Sequence, residues 1–414
     1  MSGTRPSHLA KELIALGHRV TVVTVDWSSP DNPRVDAGEA HVLAVDPRGW
    51  FPGFDADRAP LKSEAEPTGP ALLRKVRTLR RTLRWGPYER WARAALAALE
   101  ALHERDPLDV LWAIHGDDSA HEIAYRFSRA HKVPWVADFK DPWDLFHHQA
   151  PAVRWLQEQV TRRRLGTAKA LTETCKAQAD ADGARFGLPA HVLYTGYDAD
   201  VMERAVPERA RAGDKSEGEP RPRSVFVLGY IGNLSHQHDI DAIARLLQGY
   251  AQRKDAPLAL ELHSYCNDVR ALSGMLDKRG VLGMLHVHAL VPRERAYGLM
   301  KGADALLLLP ATHFAPSGGS IGVKELEYLA SGAPVLSIGK LLPELGEVAR
   351  GCPQLIEAAD DRAALDWLWE EAKTLATGAP SPTRAEVNRP AVRRHAWPEK
   401  GRDLGRILET ARRR

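Results

Sequence analysis

AKALTETCKAQADADGARFGLPAHVLY, residues 168–194, holds a complete supersecondary unit. Ala168–Thr172 reads as a short buried strand, Lys176–Phe186 as a helix and His191–Tyr194 as a second strand. A helix between two such strands implies parallel pairing through a right-handed crossover. The rhythm extends upstream: Val110–Ile114 and Val133–Asp138 read as strands, Ala120–Ala130 and Val153–Leu165 as helices. Nearer the start, Pro6–Leu16 reads as a helix, with Pro6 at its first position, Leu9, Leu13 and Leu16 on one stripe, and Gly17 as its stop. The β-branched run Arg19–Val25 follows as a buried strand. Downstream, VPERARAGDKSEGEPRPR (206–223) is rich in charge, Pro and Gly and predicts a linker. Beyond it the alternation restarts. Val225–Ile231, Leu258–His263, His286–Ala289, Ala305–Leu309 and Pro334–Ile338 read as strands; Asp239–Tyr250, Asp361–Leu375 and Pro398–Arg412 read as helices. The expectation is an α/β chain of two Rossmann-like domains facing a cleft. Residues 1–205 form one and 224–390 the other, with a last helical segment over 391–414.

Composition narrows the function. The 414 residues are 44% apolar and 27% charged, as in ordinary globular proteins, and the net charge is only +3. So small an excess argues against a nucleic-acid binder. The three cysteines, Cys175, Cys266 and Cys352, lie far apart, without zinc spacing or a disulfide framework, which fits a reducing cytoplasm. The polar start MSGTRPSHLAKEL does not read as a signal peptide, and the longest apolar runs, such as Ala305–Leu309, are far too short to cross a membrane. GxGxxG after a strand, GxxxxGK[ST] and GxSxG are all missing, so dehydrogenase, nucleoside triphosphatase and hydrolase readings lack support. His236 and His238 have no further metal ligand placed beside them, and no metal or other cofactor is expected.

ALLRKVRTLRRTLR, residues 71–84, sets Leu72, Val76, Leu79 and Leu83 on one helical face and six cations on the rest. Such a helix suits an anionic membrane surface, and equally suits packing on its own domain with a solvated basic face.

PSGGS (316–320) is a small, flexible loop that opens a helix carrying Lys324 and Glu327 on nearly one face. Helix N-terminal N–H groups attract a diphosphate, and glycine lets the backbone approach it. An ammonium suits a phosphate, and a carboxylate accepts from both hydroxyls of a ribose. An isolated Lys–Glu pair is also a common surface ion pair.

Five segments in order resemble the retaining GT-B glycosyltransferases of the family 4 group, above all the bacterial branch that builds surface polysaccharides. They are RPSHLAKELIALGHRVTVVT (5–24), VPWVADFKDPWD (133–144), 168–198, VHALVPRERAYGLMKGADALLLL (287–309) and GSIGVKELEYLASGAPVL (319–336). The resemblance implies transfer of a sugar from a nucleotide-diphospho-sugar to an acceptor hydroxyl, with retention and without a metal. The first domain would bind the acceptor, the second the donor, and the last helix would cross back to the first. Donor residues would be Gly318, Gly319, Ser320, Lys324, Glu327, Gly232 and Asn233, with the base beside Leu290 and Val291. Asp138, Lys140 and Asp141 at a strand end would orient the acceptor hydroxyl and leaving phosphate, or else form a structural salt bridge that anchors their loop. His115 and Asp117 are weaker candidates of the same kind. The acceptor's identity is open; a lipid-linked one would suit peripheral membrane contact through 71–84, on the cytoplasmic face.

The chain also departs from the commoner pattern. Gly319 stands where many members carry a sugar-binding Glu, Asn233 and His238 fall where they carry an Arg and Lys clamp, and Lys140 falls near their usual histidine. The family's first strand and its Gly-rich loop are not matched: either the start is set too late, or another segment fills that sheet position, or the first domain has lost a central strand. These departures leave open a catalytically inactive relative serving as an interaction or regulatory subunit, and a sugar-nucleotide epimerase of the same fold.

Overall fold

The computed structural model describes residues 4–25, 40–45, 88–115, 118–140, 143, 151–209, 224–232, 239–266, 269–309, 321–339 and 341–414. The chain divides into two compact units, Met1–Thr195 with Trp397–Arg414, and Gly196–Ala396. The expected helix 71–84 lies outside the described residues.

Unit 1 contains α1 (Thr4–Ala15), β1 (Thr21–Val25), β2 (His41–Val45), α2 (Glu89–Arg105), β3 (Leu111–His115), α3 (Asp118–His131), β4 (Trp135–Phe139), α4 (Pro151–Leu165), β5 (Ala170–Glu173), α5 (Lys176–Phe186) and β6 (Ala190–Val192). Unit 2 contains α6 (Ala199–Arg204), β7 (Val225–Ile231), α7 (Ile240–Ala251), β8 (Ala259–Tyr265), α8 (Arg270–Lys278), β9 (Leu285–His288), α9 (Arg293–Gly302), β10 (Ala305–Leu308), α10 (Val323–Ser331), β11 (Val335–Ile338), α11 (Pro343–Val348), β12 (Leu355–Ala358), α12 (Asp361–Ala376) and α13 (Pro390–Arg393). The last helix, α14 (Trp397–Arg413), belongs to unit 1.

Every strand pair among the described residues is parallel. In unit 1 the strands form two ladders, β1-β2 and β3-β4-β5-β6, with no pairing between β1 and β3. The two ladders still share one core: Trp91, Ala92, Ala95 and Leu99 of α2 cluster with Ile123 and Phe127, and Val23, Val45 and Leu111 pack against them. On α1, Leu9 and Leu13 meet Leu193, Trp397 and Leu404, and His8 stacks on Trp397 at 4.8 Å and 4°.

Unit 2 holds a six-stranded sheet in the order β12-β11-β10-β7-β8-β9. Strand β7 is buried along its whole length, which is why VFVLGYI reads as a continuous apolar run rather than an alternating one. The order reverses between β10 and β7, so a topological switch point lies at their carboxyl ends.

The boundary between units falls before the charged stretch 206–223, and the start of that stretch is packed. The Glu208 N–H donates to the Gly298 carbonyl at 2.8 Å. Glycine is required there on α9: a Cβ at Gly298 would lie 2.5 Å from the Val206 oxygen, and one at Gly302 only 2.1 Å from the Glu208 oxygen. Arg209 then makes two bonds to Asp304, at 2.9 and 2.8 Å. The linker expected from Val206 therefore starts later, and residues 210–223 lie outside the described set. At the unit's two ends, Tyr197 and Ala396 form a β-bridge. The Tyr197 hydroxyl also donates to Asn388 Oδ1 at 3.0 Å, while Asn388 Nδ2 donates to the Ala199 carbonyl at 2.7 Å.

Candidate functional site

The switch point of unit 2 brings together residues from β7 and α10. Gly232 directly follows β7, and its φ of 133° is a conformation that only glycine adopts without strain. A Cβ at Gly232 would lie 3.4 Å from Lys324 Cδ, so the lysine stem runs across the glycine. Lys324 Nζ donates to the Tyr230 hydroxyl at 2.8 Å and sits 4.5 Å from the ring centroid. Burial pushes the Lys324 ammonium below its usual value, opposed by the nearby Glu325 carboxylate. A lysine ammonium has three donors, and the Tyr230 bond uses one.

One turn on, Glu327 Oε1 accepts from the Tyr297 hydroxyl at 2.9 Å. Burial pushes the Glu327 carboxyl up, while Arg293 and the Tyr297 hydrogen bond pull it down. Tyr297 also accepts from the Asp198 N–H at 3.4 Å, at the start of α6. Tyr328 seats α10 on the sheet: its hydroxyl accepts from the Ile231 N–H at 2.7 Å and donates to the Ile231 carbonyl at 3.2 Å. Gly322 caps the helix, and the Glu325 carboxylate folds over it so closely that a Cβ there would meet Oε2 at 2.7 Å.

The geometry thus unites Gly232 and Lys324 directly and holds Glu327 one turn beyond. Leu290 and Val291 follow β9, at the same carboxyl edge of the sheet, and Leu290 is 58% exposed. Asn233, Gly318, Gly319 and Ser320, like His236 and His238, lie outside the described residues.

In unit 1 the expected acceptor residues fare differently. Asp138 is fully buried. Its Oδ2 accepts from Arg5 Nη1 at 2.5 Å and its Oδ1 from Thr172 Oγ1 at 2.6 Å. Arg5 in turn donates to the Leu193 carbonyl at 3.0 Å and lies over the Trp112 ring. Both carboxylate oxygens are engaged inside the core, so the salt bridge that anchors the strand end, one of the two readings of Asp138, is present. Lys140 is exposed, and its carbonyl accepts from Thr174 Oγ1 at 3.0 Å. Asp141 and Asp117 lie outside the described residues. His115 Nε2 is 3.4 Å from Asp118 Oδ1, within a network in which Arg164 bridges Asp118 and the buried Glu122. Beside it, burial and the His115 charge push buried His121 down to about 3.

No protein-family model and no curated protein matches this chain. Solved structures do. A sucrose-phosphate synthase from Thermosynechococcus elongatus superposes with a TM-score of 0.63 over 97% of this chain and 91% of that one, at 13% identity. A glycosyltransferase from Rickettsia africae gives 0.62 over 99% and 95%, at 9% identity. Anabaena HepE, solved in complex with UDP-glucose, gives 0.52 over 76% and 82%, at 15% identity. The fold is that of the GT-B glycosyltransferases.

Three tyrosines of this GT-B chain, Tyr230, Tyr297 and Tyr328, hold the candidate site together, and sequence reasoning singles out none of them. The available signal was their company: Tyr328 adjoins Glu327, and Tyr297 stands in the quoted segment 287–309. Among the described residues of the same GT-B unit, one group has metal-ligand character, Glu261, His263 and His286, on β8 and β9. No helix among the described residues is long and apolar enough to cross a membrane.

Proposed function

We propose that the chain is a glycosyltransferase that takes a nucleotide-diphospho-sugar on unit 2 and transfers its sugar to an acceptor hydroxyl. One observation carries the reading: at the switch point of the sheet, where such folds bind ligands, Lys324 lies across Gly232 at the first turn of α10. The N-terminal end of α10 and the Lys324 ammonium would face the diphosphate, with N–H groups of the preceding Gly318, Gly319 and Ser320. Glu327 would accept from the ribose hydroxyls, and Leu290 and Val291 would flank the base. As the bond to the sugar breaks, charge builds on the leaving diphosphate. A fixed cation and helix dipole stabilise it there without a metal.

Under the same reading the transfer is retaining and family 4-like, and the acceptor binds unit 1, where Lys140 and Asp141 orient its hydroxyl. Asp138 acts as a positioning residue through its bond to Arg5. Residues 71–84 would hold the protein at an anionic, cytoplasmic membrane surface, where a lipid-linked acceptor is presented. Sedimentation with anionic vesicles that is insensitive to salt and to Arg80→Glu with Arg81→Glu would remove this part.

A second reading is favoured by Gly319, where a sugar-holding carboxylate is usual: a nucleotide-binding but inactive relative. Calorimetry of the full chain with a panel of nucleoside diphosphates tests the site, and release of nucleotide from nucleotide-sugars with and without acceptor separates the two readings. One saturable nucleotide site lost in Lys324→Ala is expected. Binding that survives Lys324→Ala and Glu327→Gln unchanged places the donor elsewhere.

A further inference from the structure

Four polar side chains share one face of two neighbouring strands in unit 2. Glu261 and His263 alternate along β8, and His286 and His288 alternate along edge strand β9. The parallel register sets His263 opposite His286 and Tyr265 opposite His288. Paired strands lie about 4.8 Å apart, so rings at paired positions must stack. They do: His263 on His286 at 4.7 Å and 14°, and Tyr265 on His288 at 4.4 Å and 14°.

The nitrogen atoms converge on one carboxylate oxygen. Glu261 Oε2 lies 3.0 Å from His263 Nε2 and 3.8 Å from His286 Nε2. All three ligand atoms fall within 4.8 Å of one another. Donors bound to a tetrahedral zinc at about 2.0–2.1 Å stand roughly 3.3–3.4 Å apart, so the observed separations bracket that spacing. The other nitrogen of His263, Nδ1, is 3.0 Å from His288 Nε2. When Nδ1–H donates to His288, the lone pair of His263 Nε2 points at an anionic oxygen. Two acceptors at that distance require a proton or a cation between them. His263 is buried at 2% exposure, whereas His286 keeps access to solvent, which gives an ion a route in and a place for a water ligand.

We propose that Glu261, His263 and His286 form a binding site for a divalent transition metal of the zinc class, with His288 orienting His263 from behind. The ion clamps the edge strand β9 to β8. None of its ligands is a proposed donor residue, although β9 ends two residues before Leu290, so the metal titration is made without nucleotide and reads this site alone.

The test is titration of the metal-stripped full chain with Zn2+, followed by calorimetry and thermal unfolding, and by visible absorption with Co2+ as a geometry-sensitive substitute. Uptake of one ion per chain is expected, with a raised Tm and tetrahedral cobalt bands. His286→Ala and Glu261→Gln are expected to abolish all three signals while the apo-protein keeps its circular dichroism. His288→Ala is expected to weaken uptake by about 10–100-fold without abolishing it. Absence of saturable uptake overturns the proposal. So does uptake that His286→Ala leaves unchanged, since it would then belong to other groups of the chain.

Discussion

The Tyr297 hydroxyl donates to Glu327 Oε1 at 2.9 Å, joining the helix that follows β9 to the helix that follows β10. The bond favours the ionised form of a carboxyl that burial pushes the other way. In the proposed donor site an ionised Glu327 would accept from two ribose hydroxyls, and a protonated one would do so poorly. Nucleotide affinity is therefore expected to fall as pH drops through the raised Glu327 value. Tyr297→Phe removes a counterweight and should move that midpoint to higher pH. Glu327→Gln should cost about 10–100-fold in affinity at neutral pH, since a hydrogen bond to a charged group contributes about 1.5–3 kcal/mol. Calorimetry across pH on the three proteins checks both statements.

Lys324 offers a contrast in sign. Burial lowers its pKa, so its charge is lost at a lower pH than that of an ordinary lysine. Affinity for a nucleoside diphosphate should decline as pH rises through that depressed value, while affinity for the bare nucleoside stays flat. Lys324→Ala should remove the difference between the two ligands. A diphosphate that binds the variant as tightly as wild type would detach Lys324 from phosphate.

The Arg5–Asp138 pair lies in the core with both carboxylate oxygens engaged. Asp138→Asn leaves a buried guanidinium without its counter-charge and should cost about 3–5 kcal/mol in denaturant unfolding. Pairing it with Arg5→Met should recover part of that loss, because both charges are then gone. A mutation that lowers transfer but not stability would instead return Asp138 to a direct catalytic role.

Glu173, at the end of β5, is fully buried. Burial first, then the charges of Asp182 and Asp138, raises its pKa well above the ordinary glutamate value, with Arg5 acting against them. The folded state therefore holds a proton that the unfolded chain releases. Stability should fall as pH climbs from the ordinary glutamate range towards the raised value, and stay low beyond it. Glu173→Gln should flatten that slope, raising stability at about pH 8 more than at about pH 5. Unfolding curves at the two pH values decide it.

The alternation of strands and helices was legible because strands buried on both faces are short apolar runs. Val225–Ile231 and Lys176–Phe186 match the structure residue for residue. Helix α2 was readable too, since Trp91, Ala95, Leu99 and Leu102 recur at helical spacing, yet the reading passes over it. Strand β12 was harder, with only four residues, one of them Glu357. The first helix begins at Thr4 rather than Pro6, which places the proline within its first turn.

In the site, Lys324 and Glu327 were legible from spacing along one helix. The Lys324–Tyr230 contact spans 94 residues and Arg5–Asp138 spans 133, and such pairings follow from strand order rather than local pattern. The same holds for His263 and His286, whose alignment is a matter of register. A search for metal-binding spacing along the chain turns instead to His236 and His238.

The bridge between Tyr197 and Ala396 has a topological consequence. It fastens the entry of unit 2 to its exit, so the 196–396 segment is a closed excursion within the path of unit 1. Such an excursion has the anatomy of an inserted domain, one whose ends already touch before any partner is present. The unit 1 chain needs only a short splice from Thr195 to Trp397 to become continuous, and the cost of closing a loop across that join is already met by the contact itself. The helix that completes unit 1 lies beyond the inserted segment, so α1 meets this neighbour only after the whole of residues 196–396 has been made.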